Sequence, residues 1–303
     1  GIKCDIFHFN QVANEDIDQL LCLLAQDKRV AGIMIQHPLP KYLNERCLLD
    51  SIPVEKDIDG LSSSSLGKIL TNLPTYKPAT ALGIVNLLKH YNIELEGKKV
   101  LVVGRSNIVG LPLSNMFIKE NATVTVAHSK TKNLPDMIKD YDIVVAAIGK
   151  AEYLKAEWFR EGQILVDAGY NAGNVGDIDH RAYEKASYYT PVPGGVGPMT
   201  IASLMLQLHN AVQRQEHEHY SEFLQLNEKL SKMSSSDENV EEKQNLILRL
   251  ANVLNSAKEQ EVPLLPIVLQ NDAKAREESK ISLKKARHEL YEVLQDDSYK
   301  DEQ

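Results

Sequence analysis

The chain has 303 residues, 43% of them apolar, a net charge of −8 and no apolar run of about 18 residues. Its length suggests about two domains with sizeable cores, no segment reads as a membrane-spanning helix, and no basic stripe with interleaved aromatics points to nucleic acid. The acidity is local: residues 216–303 hold 19 Asp plus Glu against 12 Lys plus Arg, residues 1–215 hold 23 against 22, and Cys4, Cys22 and Cys47 have no metal or redox spacing, which fits a reducing, cytoplasmic setting.

Cys4 to Phe9 reads as a strand, Glu15 to Ala25 as an amphipathic helix, and Val30 to Ile35 as a second strand that Pro38 ends. A helix around Leu43 to Leu49 follows, then the charged loop Lys56–Gly60, with Ser62 to Ser65 placed to cap a short helix. From Ala81 the pattern is regular: helix 81–90, strand 99–103, helix 109–119, strand 122–127, helix 134–139, strands 143–148 and 163–168. Short Val/Ile/Leu strands between helices predict a parallel sheet covered on both faces, with ligands at the strands' carboxyl ends. Beyond Glu216 two apolar faces recur, Leu246/Ile247/Leu250/Val253/Leu254 and Leu283/Ala286/Leu290/Val293/Leu294, predicting charged amphipathic helices. Such a tail is either a partner-binding segment or a solvated extension.

Thr190 to Thr200 (TPVPGGVGPMT) packs three glycines and three prolines into eleven residues ahead of an apolar run. This composition specifies a rigid, crowded loop, with a helix starting at Pro198, where a missing N–H costs nothing. Gly104-Arg105-Ser106-Asn107-Ile108-Val109-Gly110 lies between strand and helix, the place of a dinucleotide phosphate loop, although its G-x-S-x-x-x-G spacing departs from G-x-G-x-x-G. The next strand ends in Ala127-His128-Ser129-Lys130-Thr131, where an NAD site would carry an acidic residue. Hydroxyl and cationic groups there, with the guanidinium fork of Arg105, favour the 2′-phosphate of NADP. Asp57 and Asp59 flank Ile58 and, in a strand-like segment, would point the same way, as an acid or metal pair or with one carboxylate recognising an amidine-like ligand edge. The histidines lack metal-ligand spacing, no metal site is expected, and His128 reads as structural.

Several segments, in order, resemble the bifunctional methylenetetrahydrofolate dehydrogenase/cyclohydrolase family: Gly32–Pro40 (GIMIQHPLP), Lys56–Gly60 (KDIDG), Val103–Pro112 (VGRSNIVGLP), Ala122–Thr131 (ATVTVAHSKT), Asp167–Asn171 (DAGYN), Gly176–Asp179 (GDID) and Thr190–Thr200. The resemblance covers about residues 1–215. It implies an α/β architecture: a Rossmann-like parallel-sheet NADP domain (79–197) inserted in a smaller folate-binding catalytic domain (1–78, completed by a helix over 198–215), with an acidic helical extension at 216–303. It further implies cofactor contacts from Gly104, Arg105, Ser106, Ser129 and Tyr170, the last standing where isoleucine is usual. The folate side would be formed by Ile35, Gln36, His37 and Asp59, with Pro193, Gly194, Gly195, Val196 and Gly197 lining the cleft. Gln36 and Asp59 would be the catalytic pair, Asp59 holding the pterin ring and Gln36 tuning a lysine.

The implied chemistry is oxidation of 5,10-methylenetetrahydrofolate with NADP+ and hydrolysis of the product to 10-formyltetrahydrofolate, in one-carbon metabolism, by a homodimer. The departures are specific. The family's Tyr-x-x-x-Lys motif, which carries the hydrolytic lysine upstream of Gln36, occurs nowhere in the 303 residues, so hydrolysis by this chain alone is expected to be lost and oxidation impaired. His37 replaces a leucine, and Ala79 and Ala81 replace a cysteine and a proline. These departures leave a second reading open, a non-catalytic nucleotide-binding scaffold assembled through its tail.

Overall fold

A computed structural model describes residues 3–9, 12–232, 245, 248 and 249. The chain divides into two compact units, residues 11–211 and residues 1–10 with 212–303. The larger unit begins with three short helices: α1 (Asn14–Gln26), α2 (Glu45–Asp50) and α3 (Ser63–Leu70). The Asn44 side chain caps α2 by accepting the Cys47 N–H, and Ser62 caps α3 through the Ser65 N–H. Leu21, Ile33, Leu48 and Ile52 form a small core beneath α1 and α2.

Next come α4 (Ala79–His90), β1 (Lys99–Val103), α5 (Gly110–Lys119), β2 (Thr123–Ala127), α6 (Leu134–Ile138), β3 (Ile143–Ala146), β4 (Ile164–Asp167), β5 (Tyr188–Tyr189) and α7 (Val196–Lys232). The five strands form one parallel sheet in the order β2-β1-β3-β4-β5. Alternation along the strands splits the core. Val100, Val102, Ile143, Val145 and Val166 face α4 and α5, whereas Leu101, Val103, Val144, Ala146 and Leu165 face α6 and the 3₁₀ turns at Ala156–Trp158 and His180–Lys185. Both faces are buried along the inner strands β1, β3 and β4, as a parallel sheet requires, whereas β2 is half-buried and β5 exposed.

The sheet and its flanking helices match the sequence expectation to within about two residues at most ends. Two expected strands do not form. Residues 4–9 pair with no strand among the described residues, and Ile6, Phe7 and Phe9 are exposed. Val30–Ile35 is reduced to one parallel bridge, Ile33 with Asp57, closed by the Ile33 N–H on Lys56 O at 2.7 Å. A strand is sustained by its ladder, and one bridge does not propagate. The last helix begins at Val196, two residues before Pro198, which still falls among the first four N–H positions that have no intrahelical acceptor.

In the smaller unit, Lys3 pairs with Asp5 at 3.5 Å and Arg249 with Glu222 at 3.4 Å. The expected apolar faces at 246–254 and 283–294 lie outside the described residues, apart from Leu248 and Arg249, which are helical and exposed. No helix among the described residues is long and apolar enough to cross a membrane.

Candidate active site

The folate-side candidates come together through backbone packing. Gly32 has no room for a side chain because Ile58 lies against it, so the 32–37 segment runs close beside the 56–60 loop. That loop is a turn, closed by the Gly60 N–H on Asp57 O at 2.9 Å. Gly60, at φ +65°, packs directly on the Tyr76–Lys77 backbone, a position only glycine fills without strain.

The turn corrects the expectation that Asp57 and Asp59 point the same way. Asp57 is buried under α3, accepting the Leu61 N–H (3.2 Å), the Ser62 N–H (2.9 Å) and the Ser65 hydroxyl (2.6 Å). Its role is to anchor the loop. Asp59 turns instead towards α4 and accepts the Ala79 N–H at 3.3 Å. Burial pushes its carboxyl up from the ordinary 3.8 to about 6, against the opposing pull of the Ala79 N–H and His37, while Asp57 adds to the rise. A carboxylate that is costly to ionise when unliganded, with a free edge, suits a cationic or multiply donating ligand.

His37 is a near neighbour of Asp59, and its Nδ1 lies 3.1 Å from Glu45 Oε1 on α2 but is misaligned for a hydrogen bond. Gln36 is exposed, its Nε2 donating to its neighbour's carbonyl, His37 O, at 3.2 Å. Ile35 packs against the Leu21–Ile33–Leu48–Ile52 core. Glu45 carried no recognisable signal, since it reads as an ordinary first-turn helix residue.

The nucleotide-side candidates line the carboxyl ends of the strands. The chain passes from β1 out to β2 and then crosses to β3 on the other side, so the order in which strands are added reverses between β1 and β3, where an open α/β sheet binds its ligand. Gly104 sits there. Its φ is +136°, and a Cβ on it would overlap the Ala147 carbonyl at the end of β3. Gly110 is equally constrained, because a Cβ there would overlap Gly104 O. The two glycines make a tight strand-to-helix turn despite their unusual spacing. Ser106 Oγ accepts the Val109 N–H at 3.1 Å and the Gly110 N–H at 3.4 Å at the entry to α5, so its hydroxyl is partly committed to structure.

Arg105 and Ser129 are exposed, and no hydrogen bond or ion pair within the described residues engages the Arg105 guanidinium. The Gly104 N–H on Ala127 O (2.9 Å) ties the Gly104 turn to the end of β2, beside Ser129. His128 Nδ1 accepts the Lys130 N–H at 3.1 Å, in keeping with a structural role. Tyr170 stands at the end of β4, two strands from β1, exposed and bonded to Asn174 Oδ1 at 2.6 Å. It is therefore apart from Arg105 and Ser129 along the sheet's edge.

Two buried carboxylates missing from the expected site shape this edge. Asp177 accepts three consecutive N–H groups after β3, from Ile148 (2.6 Å), Gly149 (2.8 Å) and Lys150 (2.8 Å). Asp167 accepts from Gly169, Asp177 and Ile178, and burial pushes its carboxyl up. The GDID motif thus holds the loops after β3 and β4. Glu152, Asp179 and His180 also cluster, but Arg181 binds Asp179 at 2.6 and 3.1 Å and holds its carboxyl down to about 2.

In the glycine-rich loop, Thr190 Oγ1 accepts the Asp167 N–H at 2.8 Å, joining the loop to β4. Gly194 is needed for its φ of +107°, and Gly195 for space, since a Cβ would come within 2.6 Å of Pro191 O. Gly197 is sterically open. Pro193, Gly194 and Gly197 are exposed, whereas Val196 belongs to the sheet core and offers a ligand only its backbone. The two sides are joined through α4. Asp59 binds the Ala79 N–H, the next residue Thr80 contacts Thr200 Oγ1 at 3.3 Å, and Thr200 lies one turn after Val196.

The chain is similar to known proteins across both regions. Residues 78–216 match the family model "Tetrahydrofolate dehydrogenase/cyclohydrolase, NAD(P)-binding domain", and residues 1–59 match its catalytic-domain counterpart. The "Bifunctional protein FolD" of Acidobacterium capsulatum is 50% identical over 192 residues, covering 63% of this chain and 68% of that protein. That of Leptospira interrogans is 48% identical over 198 residues, covering 65% and 70%. Among solved structures, the bifunctional FolD enzyme of Campylobacter jejuni superposes with a TM-score of 0.66 at 38% identity, covering 67% of this chain and 74% of that one. The Trypanosoma brucei dehydrogenase-cyclohydrolase, complexed with NADP cofactor and inhibitor, gives 0.64 at 32% identity, covering 67% and 73%.

Proposed function

The chain belongs to the tetrahydrofolate dehydrogenase/cyclohydrolase family, and on that premise we propose that it oxidises 5,10-methylenetetrahydrofolate with NADP+. The observation that carries the reading is the joined pair of half-sites: a partly buried, ionisable Asp59 held through α4 to the loop that opens α7, and a glycine turn at the sheet's switch point.

The residues fit NADP. Gly104 and Gly110 permit the tight strand-to-helix turn on which a phosphate can sit, Arg105 is free to take a second phosphate, and the β2 end carries Ser129 and Lys130 in place of a carboxylate. When bound, NADP+ supplies the hydride acceptor. Hydride loss leaves charge spread over two folate nitrogens, so the protein's contribution is positioning more than proton transfer. Asp59, once ionised, accepts two hydrogen bonds from the amidine-like edge of the pterin and fixes the ring. The Pro193–Gly197 loop, with Pro193 and Gly194 exposed, walls the cleft, and Tyr170 flanks the nicotinamide end.

Hydrolysis of the oxidised folate requires a proton-transfer group. On this reading Gln36 tunes such a group. The family's lysine is supplied by no Tyr-x-x-x-Lys within these 303 residues. The same reading assigns residues 1–78, with 198–215, to folate and 79–197 to NADP, treats 216–303 as an extension, and includes a homodimer in the cytoplasm. Three cysteines without metal or redox spacing support the compartment. The scaffold alternative is not favoured, because the folate-side residues Gln36 and Asp59 are kept with the nucleotide turn. The test is reduced-cofactor formation from 5,10-methylenetetrahydrofolate with NADP+ or NAD+. Turnover with a preference for NADP+ supports the proposal, and binding of NADP+ without any folate binding sinks it.

A further inference from the structure

Gln207 is a buried polar residue on the apolar face of α7, between Leu204, Leu208 and Ala211. Backbone groups consume its whole amide. Oε1 accepts the Lys77 N–H at 2.8 Å, and Nε2 donates to Ile58 O at 2.8 Å and Lys77 O at 2.9 Å. These are the two segments whose relative position defines the Asp59 site. Ile58 directly precedes Asp59, and Lys77 lies two residues before Ala79, whose N–H meets the Asp59 carboxylate. Neither segment belongs to a strand ladder, so a regular sheet does not set their spacing. Gly60, pressed against the Tyr76–Lys77 backbone, allows the close contact.

We propose that Gln207 is a positioning residue for Asp59: its amide clamps the Ile58 and Lys77 backbones and so aims the carboxylate at the folate. The inference rests on the reading of Asp59 as the folate's partner. A glutamine that merely filled the core would be replaced by isosteric methionine with a loss of stability but no selective loss of folate binding. Without the amide, the buried Ile58 carbonyl and the part-buried N–H and carbonyl of Lys77 lose their partners, and the two loops relax to find others.

The experiment titrates tetrahydrofolate and, separately, NADP+ into the wild-type chain, Q207M, D59A and the double variant by calorimetry. Q207M is expected to weaken tetrahydrofolate at least tenfold and to leave NADP+ within twofold. In the D59A background, Q207M should change the remaining folate affinity less than twofold, because its effect passes through Asp59. Should Q207M fail to fold, Q207N carries the test: its amide falls about 1.5 Å short of one segment, and the same selective loss is expected. Unchanged folate binding, an equal loss of NADP+, or a full tenfold effect that persists in D59A would overturn the inference alone. A wild-type chain that binds NADP+ but no folate overturns the functional reading and this inference with it.

Discussion

Replacing Asp59 with asparagine should stabilise the unliganded protein while destroying its folate site. The carboxyl is held at about 6 in the folded chain, chiefly by burial, against an ordinary 3.8 when unfolded. The folded state therefore holds this proton more tightly than the unfolded state does. The site carries no penalty below the unfolded value, loses stability as pH rises from about 4 to about 6, and bears the full cost above that. The gap corresponds to about 3 kcal/mol, and to about 2 kcal/mol after allowance for the solvent that still reaches a partly buried group. The asparagine side chain would keep the oxygen that accepts the Ala79 N–H but would never ionise, so D59N removes the penalty. Urea unfolding should show D59N about 2 kcal/mol more stable than wild type at pH 7.5, the gain vanishing near pH 4. Tetrahydrofolate affinity, which needs the ionised acceptor, should fall at least tenfold in D59N, and in the wild type about tenfold for each pH unit below 6. A D59N protein that is no more stable at pH 7.5, or whose advantage is independent of pH, would refute the reasoning.

Two further substitutions test the nucleotide side. R105Q should weaken NADP+ by about 10- to 100-fold, the worth of a lost charge-assisted phosphate contact, and leave NAD+ within about twofold; an equal loss of both would remove Arg105 from the 2′-phosphate. G104A forces a Cβ into the Ala147 carbonyl at φ +136°, so thermal unfolding should report about 1–3 kcal/mol of destabilisation, with NADP+ binding lost well before folate binding. Normal NADP+ affinity in a folded G104A protein would show that the turn does not approach the phosphate.

Much of the fold was legible in the chain because the sheet is buried on both faces. β1, β3 and β4 stand out as short Val/Ile/Leu runs, β2 as a Thr/Val alternation, and α4 and α5 follow by helical periodicity. Failures occur where tertiary context decides. Val30–Ile35 has strand composition, but only Ile33 finds a partner, and β5 is too short, at two residues, to leave a pattern. The candidate site was readable where backbone geometry demands a residue type, as at Gly60, Gly104 and Gly194. It was not readable where roles depend on neighbours distant in sequence. Nothing local separates Asp57 from Asp59. The difference arises because the turn sends one under α3 and the other towards Ala79. Gln207 did leave a trace, a lone amide among Leu204, Leu208 and Ala211 on one helix face, which amphipathic reading treats as a blemish and not as a clamp.

The most direct test of the central claim, one cleft built from the Asp59 turn and the Gly104 turn, is reduced-cofactor formation by the protein supplied with 5,10-methylenetetrahydrofolate and NADP+, with D59A and G104A measured alongside. The account predicts folate-dependent reduction that prefers NADP+ to NAD+ and is abolished by either substitution, D59A retaining NADP+ binding and G104A retaining folate binding. Turnover that survives D59A, or NADP+ binding with no folate-dependent reduction in the wild type, would contradict it.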